Sequence, residues 1–222
     1  MNKIKIKENV SLKNFSSYKI GGRAKYFLKV SNIDELIEGL KKWEEYRISP
    51  TLEVGLFVLG GGTNVLISDK GFDGLVIHNK IKDIKIIGDK DIKILSEKDI
   101  KRTKKESPNI LISRYPSIHI SVGAGVLMGD LLNFCVQNSL SGLEWAGGLP
   151  GTLGGAIRGN AGAFRGEIKD NILEVTSLDI KTLGIKKRGS KDCKFEYRSS
   201  IFKSQREKES EGERVREREQ ER

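Results

Sequence analysis

Apolar positions along this chain change their spacing several times, and each spacing predicts a different element. In residues 33–46, IDELIEGLKKWEEY, the side chains of Ile33, Leu36, Ile37, Leu40 and Trp43 fall on one stripe of an amphipathic helix. Asn32 stands where an N-cap belongs, and Glu35 three residues later completes a capping box. A second helix is predicted over 126–138, VLMGDLLNFCVQN. Elsewhere the pattern shortens to strand-like runs. FSSYKIGGRAKYFLKV (15–30) predicts a strand, a break at Gly21–Gly22 and a second strand. GLFVLGGGTNVLISDKGFDGLVI (55–77) predicts a strand, a glycine loop, a short strand, a turn at Lys70–Gly71 and another strand. SIHISVGAG (117–125) returns to strand, and the segment from Leu173 to Arg198 predicts short strands with a hairpin near Leu183–Gly184. Helices and strands do not alternate regularly, so the fold class is α+β rather than a doubly wound parallel sheet.

Two stretches depart from any core-forming pattern. Lysine alternates with isoleucine after residue 80 and gives way to SEKDIKRTKKESPN (96–109), which predicts a surface excursion dispensable for ligand binding. Residues 204–222 carry Val215 as their only large apolar side chain and switch from lysine to arginine; a charged, disordered tail is expected there.

Composition narrows the classes. A length of 222 residues accommodates one large domain or two small ones. The formal charge of +10 invites a nucleic-acid reading, but the lysines alternate with isoleucine as on the wet face of a sheet, and no helix-turn-helix or RNA-binding signature accompanies them. No nucleic-acid partner is expected. No apolar run is long enough to span a bilayer, and MNKIKIKENV has no apolar core behind its charges, so a cytoplasmic protein with neither leader nor membrane partner is expected. Cys135 and Cys193 lack metal-ligand spacing; buried thiols and no metal are expected.

The chemistry lies in the glycines. LGGGTNVL (59–66) follows an apolar strand, and LEWAGGLPGTLGGAIRGNAGA (143–163) is denser still. Glycine at that density costs backbone entropy, so close approach of backbone to something flat or anionic is the usual reason for it. In Gly60–Asn64 successive N–H groups can turn toward one point as an anion-binding nest, with Thr63 and Asn64 adding side-chain donors. A tight turn without a ligand is the alternative for this loop alone. Two such loops in one chain suggest one nucleotide-like cofactor held from two sides.

In order, IGGRAKYF (20–27), VLGGGTNVLISDKGFDGLVI (58–77), SVGAGV (121–126), SGLEWAGGLPGTLGGAIRGNAGAFRGEI (141–168) and CKFEYRSSIFK (193–203) resemble the MurB family of flavoenzymes, the UDP-N-acetylenolpyruvoylglucosamine reductases. The resemblance implies the two-subdomain FAD-binding fold of the vanillyl-alcohol-oxidase (PCMH) type, which uses no Rossmann fingerprint; none is present here. It divides the chain into subdomains at 1–80 and 81–203, followed by the tail. It implies FAD against Gly60, Gly61, Gly62, Thr63 and Asn64 on one side. On the other it implies Gly147, Gly148, Pro150, Gly151, Thr152, Gly154, Gly155, Asn160, Ala161 and Gly162. It further implies NADPH as reductant, a UDP-sugar substrate, and a role in peptidoglycan synthesis. Arg198 matches the family's catalytic arginine, suited to a developing enolate because guanidinium is planar, always charged and bidentate. Tyr197 beside it matches a substrate-binding residue. Glu144, His78, His119, Ser199 and Ser200 match no catalytic position of the family. The family's proton-donating serine and its glutamate belong to a further domain that the matching sequence does not reach, so impaired turnover is expected. Another FAD oxidoreductase of the same fold, or a flavin-binding fragment without catalysis, are the alternatives.

Overall fold

The structure, a computed structural model, describes residues 4–46, 55–87 and 118–203. The excursion at 96–109 and the tail at 204–222 lie outside the described residues. Two strands rich in apolar residues on both faces form the centre of the main sheet: β2 (Arg23–Val30) and β4 (Phe72–Asn79). Such runs are suited to positions covered from both sides. The edges are β1 (Lys7–Ser11), antiparallel to β2, and β3 (Gly55–Leu59), parallel to β4, in the order β1-β2-β4-β3. The first face carries Leu28, Val30, Leu75 and Ile77 and is covered by α1 (Ile33–Tyr46) through Leu40 and Trp43. The second carries Ala24, Phe27, Leu59 and Val76, with Phe15, Phe57 and Ile67 packed against them. Ala24 joins the second face because a register shift between Ala24 and Tyr26 breaks the two-residue alternation.

The helix begins as its sequence requires. The Glu35 N–H donates to Asn32 Oδ1 at 2.8 Å, while the Glu35 carboxylate accepts from the Ser31 N–H at 2.6 Å, one residue earlier than in a standard capping box. Two strand expectations need correction. Phe15–Ile20 is not a strand: a 3₁₀ turn at Lys13–Phe15 leads into bends with Lys19 at φ +57°, and the strand lies earlier, at β1. An edge strand covered on one side leaves little apolar pattern to read. Nor do Val65–Ser68 form a strand. β3 and β4 are parallel neighbours, which no tight hairpin can join, so residues 60–71 must carry the chain back across the sheet.

The contacts divide the chain into two units, Met1–Lys82 with Gly123–Arg222, and Asp83–Val122. Within the smaller, β5 (Ile84–Ile87) pairs antiparallel with β6 (His119–Val122), which holds His119. The larger continues with α2 (Met128–Gln137), α3 (Leu153–Arg158), the two-residue strands β7 (Gly162–Ala163) and β8 (Gly166–Glu167), and the hairpin of β9 (Glu174–Leu178) and β10 (Ile185–Gly189). That hairpin turns at Leu183, φ +54°, as expected, and Leu178 and Leu183 pack onto the α1-covered core. Cys135 and Cys193 are buried and unpaired, and burial pushes both thiols up.

His78 on β4 is 7% exposed, with its ring 5.0 Å from that of Phe15 and 5.9 Å from that of Phe27. Its Nδ1 is buried without a partner among the described residues. Burial first, then Lys80, Lys29 and Lys82, lowers its pKa to about 4. The unfolded imidazole titrates higher, so the unfolded state binds the extra proton between the two values. Stability from neutral His78 is therefore complete above the unfolded pKa and declines as pH falls toward 4, by about 2–3 kcal/mol in all. A His78→Phe chain is expected to lose this part of the acid sensitivity. Parallel slopes of urea midpoint against pH for the two chains, between pH 4 and 7, would reject it.

Candidate functional site

The two glycine loops meet. A Cβ added to Gly60 would collide with Thr152 Oγ1, one on Gly61 would stand 3.0 Å from Gly151 Cα, and one on Gly151 would stand 2.8 Å from Thr63 Oγ1. Gly62 is buried against the Phe15 carbonyl, and its own carbonyl accepts the Ser17 N–H at 3.0 Å. Gly154 packs on Ala124, to whose carbonyl it donates at 2.9 Å. Many of the glycines are thus demanded by protein approaching protein.

Others are not. Gly147, Gly148, Pro150 and Gly155 are exposed, and a Cβ on Gly148, where φ is +79°, would meet nothing within 4 Å. At Gly148 the backbone therefore faces open space, with the exposed Gly147 and Gly155 nearby in the same stretch. Across the junction, the backbone N–H groups of Gly61, Gly62, Thr63 and Asn64 donate to no protein acceptor among the described residues. Thr152, buried at the N-terminus of α3, makes no side-chain cap bond, leaving its hydroxyl beside the junction. Unused N–H donors beside exposed glycine backbone suit a ligand that combines a diphosphate with a flat ring system. FAD has both parts, and the residues present fit it. Asn64 is exposed at the rim of the first loop. Glu144 is a local brace: its Oε2 accepts the Gly142 N–H at 2.8 Å. Trp145 Nε1 donates to Asn171 Oδ1 at 3.0 Å, and the Trp145 ring lies where any Cβ on Gly166 would be.

α3 leads from the loop junction to a second feature, an open cavity of about 460 Å³ lined by Asn160, Phe164, Glu167, Lys169, Tyr197 and Arg198 among others. Four residues around it have left-handed backbones: Asn160 (φ +41°), Phe164 (+48°), Arg165 (+69°) and Arg198 (+53°). Side chains beyond glycine pay for that conformation, and such outliers gather where function over-determines the backbone. Phe164 and Arg165 are the central pair of the β7–β8 turn, which presents Phe164 83% exposed. Tyr197 is 80% exposed, and the Arg198 guanidinium stands 5.8 Å from its ring centroid. Glu167 is paired with Lys169 and accepts from Asn160 Nδ2 at 3.1 Å; these donors, then the Arg198 charge, hold its carboxyl below the usual range.

Of the residues singled out in the sequence, the structure gathers Asn160, Gly162, Tyr197 and Arg198 at this cavity. Asn160 is 1% exposed and bonded to protein throughout, to Glu167 Oε2, the Glu196 carbonyl and the Lys169 N–H. Ala161 and Gly162 are engaged in backbone bonds to Ala156, Ile168 and β8. Ser200 Oγ donates to the Arg158 carbonyl at 2.7 Å, while Ser199 Oγ is buried without a partner among the described residues. His78 and His119 do not line the cavity. Glu167, Lys169 and Phe164 went unnoticed in the sequence; the adjacency of GNAG and FRGEI was the available signal.

Comparison with known proteins places this geometry. Residues 112–182 match the FAD binding domain family. A reductase structure from Thermus caldophilus, UDP-N-acetylenolpyruvylglucosamine reductase (MurB), superimposes at TM-score 0.58 with 24% identity, covering 89% of this chain and 57% of that one. A solvent-stable cholesterol oxidase superimposes at 0.52 with 13% identity, covering 84% and 33%. The fold is therefore the α+β FAD-binding fold of the vanillyl-alcohol-oxidase type. Curated UDP-N-acetylenolpyruvoylglucosamine reductases from Caldicellulosiruptor saccharolyticus and Orientia tsutsugamushi are 35% and 36% identical over 87% and 88% of the chain. Over the residues it shares with them, the chain is similar to the UDP-N-acetylenolpyruvoylglucosamine reductases (MurB). It spans about half the length of these relatives, 51% and 54%. Among the described residues no helix is long and apolar enough to cross a membrane, and no cluster of potential metal ligands occurs.

Proposed function

We propose that this chain binds FAD across the junction of the two glycine loops and serves the NADPH-dependent reduction of UDP-N-acetylglucosamine enolpyruvate, in the supply of peptidoglycan precursors. The observation that carries the reading is the meeting of loop 60–64, with its unused N–H groups, and the exposed backbone of 147–155. When bound, FAD supplies hydride exchange at N5, from NADPH to the enolpyruvyl double bond. The chain's own groups bind and orient, while the proton for the second carbon has no donor assigned among them. Gly61–Asn64 and the Thr152 hydroxyl offer donors to the diphosphate, and Gly147–Gly148 leave room for the ring system. Tyr197 offers the substrate an exposed phenol. Arg198 grips the substrate carboxylate and stabilises the charge that develops there as an enolate. The cavity beside Arg198 is where the enolpyruvyl group would stand, with Lys169 and Arg165 adding positive charge. A subdomain boundary near residue 80 and a cytoplasmic setting belong to the same reading, and two unpaired thiols agree with a reducing compartment.

The test is flavin content. The purified chain is expected to take up FAD without covalent attachment and to turn yellow. Gly148→Val is expected to abolish uptake while leaving the fold, because its Cβ meets no protein and left-handed valine costs roughly 1–2 kcal/mol. A Gly148→Val chain with full flavin content would remove this surface from the site. NADPH should bleach the bound flavin under anaerobic conditions; an unchanged spectrum would remove NADPH as the reductant.

A further inference from the structure

The segment bearing Arg198 is a four-residue turn. The Glu196 N–H donates to the Ser199 carbonyl at 3.0 Å and the Ser199 N–H returns to the Glu196 carbonyl at 3.1 Å, so Tyr197 and Arg198 occupy the tip. Arg198 stands at φ +53°, at the position of such a turn that favours glycine or asparagine. Left to itself, arginine there would relax to a negative φ and swing its guanidinium elsewhere. Three buried side chains oppose that. Lys203, 8% exposed, donates from Nζ to the Arg198 carbonyl at 3.2 Å. Asn160 donates from Nδ2 to the Glu196 carbonyl at 2.9 Å, while its Oδ1 receives the Lys169 N–H at 3.3 Å and its Nδ2 also reaches Glu167. Ser200, fully buried, ties the segment after the turn to the Arg158 carbonyl at the end of α3. Burying an ammonium is costly unless its hydrogens find acceptors, so Lys203 is an expensive way merely to fill space.

We propose that Lys203 and Asn160 are positioning residues: by clamping the two carbonyls of the Glu196–Ser199 turn, they hold Arg198 in its left-handed conformation and so aim its guanidinium into the cavity. The inference rests on the reading of Arg198 as the carboxylate-binding group and assigns the clamp that makes it effective. Neither residue touches the substrate in this scheme. Each acts through the backbone of the turn, so the clamp matters most when the tip residue resists positive φ. At glycine, which accepts that conformation freely, the clamp has little left to hold.

That dependence gives the test, a double-mutant cycle on the full FAD-loaded chain read by amide hydrogen exchange at Ser199. Lys203→Met in the parent chain is expected to speed exchange about tenfold or more, as for a lost buried hydrogen bond. The same substitution with Arg198→Gly is expected to change it little. Lys203→Arg, which keeps a donor, should restore most of the protection. If Lys203→Met does not fold, Asn160→Ala in the same cycle decides the matter through the other carbonyl. The second readout is the Arg198 Nε–H resonance during titration with phosphoenolpyruvate, a small enolpyruvyl carboxylate. It should shift in the parent chain and in Lys203→Arg, and shift only at higher concentration in Lys203→Met. Equal acceleration in the arginine and glycine backgrounds would overturn the proposal, reducing Lys203 to general packing while leaving the role of Arg198 intact. Unequal acceleration with no response to phosphoenolpyruvate in the parent chain would overturn the reading of Arg198, and the positioning role would fall with it.

Discussion

Gly62→Ala is expected to cost the chain about 3 kcal/mol and all of its flavin. The two losses have one cause. Gly62 lies at φ +65°, and an added Cβ would run into the Phe15 carbonyl oxygen, with Ser16 Cα 3.2 Å away. Left-handed alanine alone costs roughly 1–2 kcal/mol, and forcing a methyl into packed backbone adds about 1–3. Neither neighbour is a flexible side-chain end that could step aside. The loop must lift, breaking the bond from the Ser17 N–H and drawing Gly61 away from Gly151. With that contact gone, loop 60–64 no longer packs against Gly151 and Thr152. The comparison with Gly148→Val is decisive, because that variant is expected to lose flavin while its denaturation midpoint drops less. Urea unfolding followed by tryptophan fluorescence, together with flavin absorbance of the purified chains, measures both. A Gly62→Ala chain with parental midpoint and flavin content would show that the loop tolerates displacement and that its meeting with 147–155 does not make the site.

What the sequence made legible follows from how local each cause is. The α1 stripe and its Asn32 cap are written within a few residues of one another, and both appear in the fold. The same holds for α2 and for the hairpin turning at Leu183. Illegible features depend on partners distant in the chain. Residues 65–68 look like a strand from their own composition, but the parallel pairing of β3 with β4 makes them a crossover. β1, in KENVS, reads as polar because it is an edge strand whose residues are mostly exposed. The glycine loops show the same limit. Density announced them, but only the packed structure separates Gly60, Gly61, Gly62, Gly151 and Gly154, which admit neighbouring protein, from Gly148, which faces open space. Asn160 reads in the sequence as one more polar residue in a ligand-binding run; in the fold its side chain is spent on Glu196, Glu167 and Lys169. The strained backbones of Phe164, Arg165 and Arg198 left no local signal, because nothing in FRGE or EYRS requires positive φ.

Arg198→Asn is expected to separate stability from chemistry, moving them in opposite directions. Asparagine tolerates the left-handed conformation that Arg198 holds at φ +53°, so the turn should be as stable as in the parent or gain up to about 1 kcal/mol. Arg198 is exposed, and its cation–π contact with the exposed Tyr197 is worth little there, so little offsets that gain. Reduction of the enolpyruvyl UDP-sugar should nonetheless slow about a hundred- to a thousandfold, the usual consequence of removing one preorganised donor to a developing oxyanion. Arg198→Lys should fall between the two, since it keeps the charge but loses the planar fork. The bleaching of flavin by NADPH should be unchanged in both, because that half-reaction does not involve the substrate carboxylate. The factor is relative, so single-turnover reoxidation of NADPH-reduced flavin by the enolpyruvyl substrate can read it however slow the parent chain is. A residue kept in an unfavourable backbone for its chemistry should show this trade of stability against activity. If Arg198→Asn instead lowers the denaturation midpoint and leaves reoxidation at the parental rate, Arg198 is a structural residue and the carboxylate must be met by another cation of the cavity, Lys169 or Arg165.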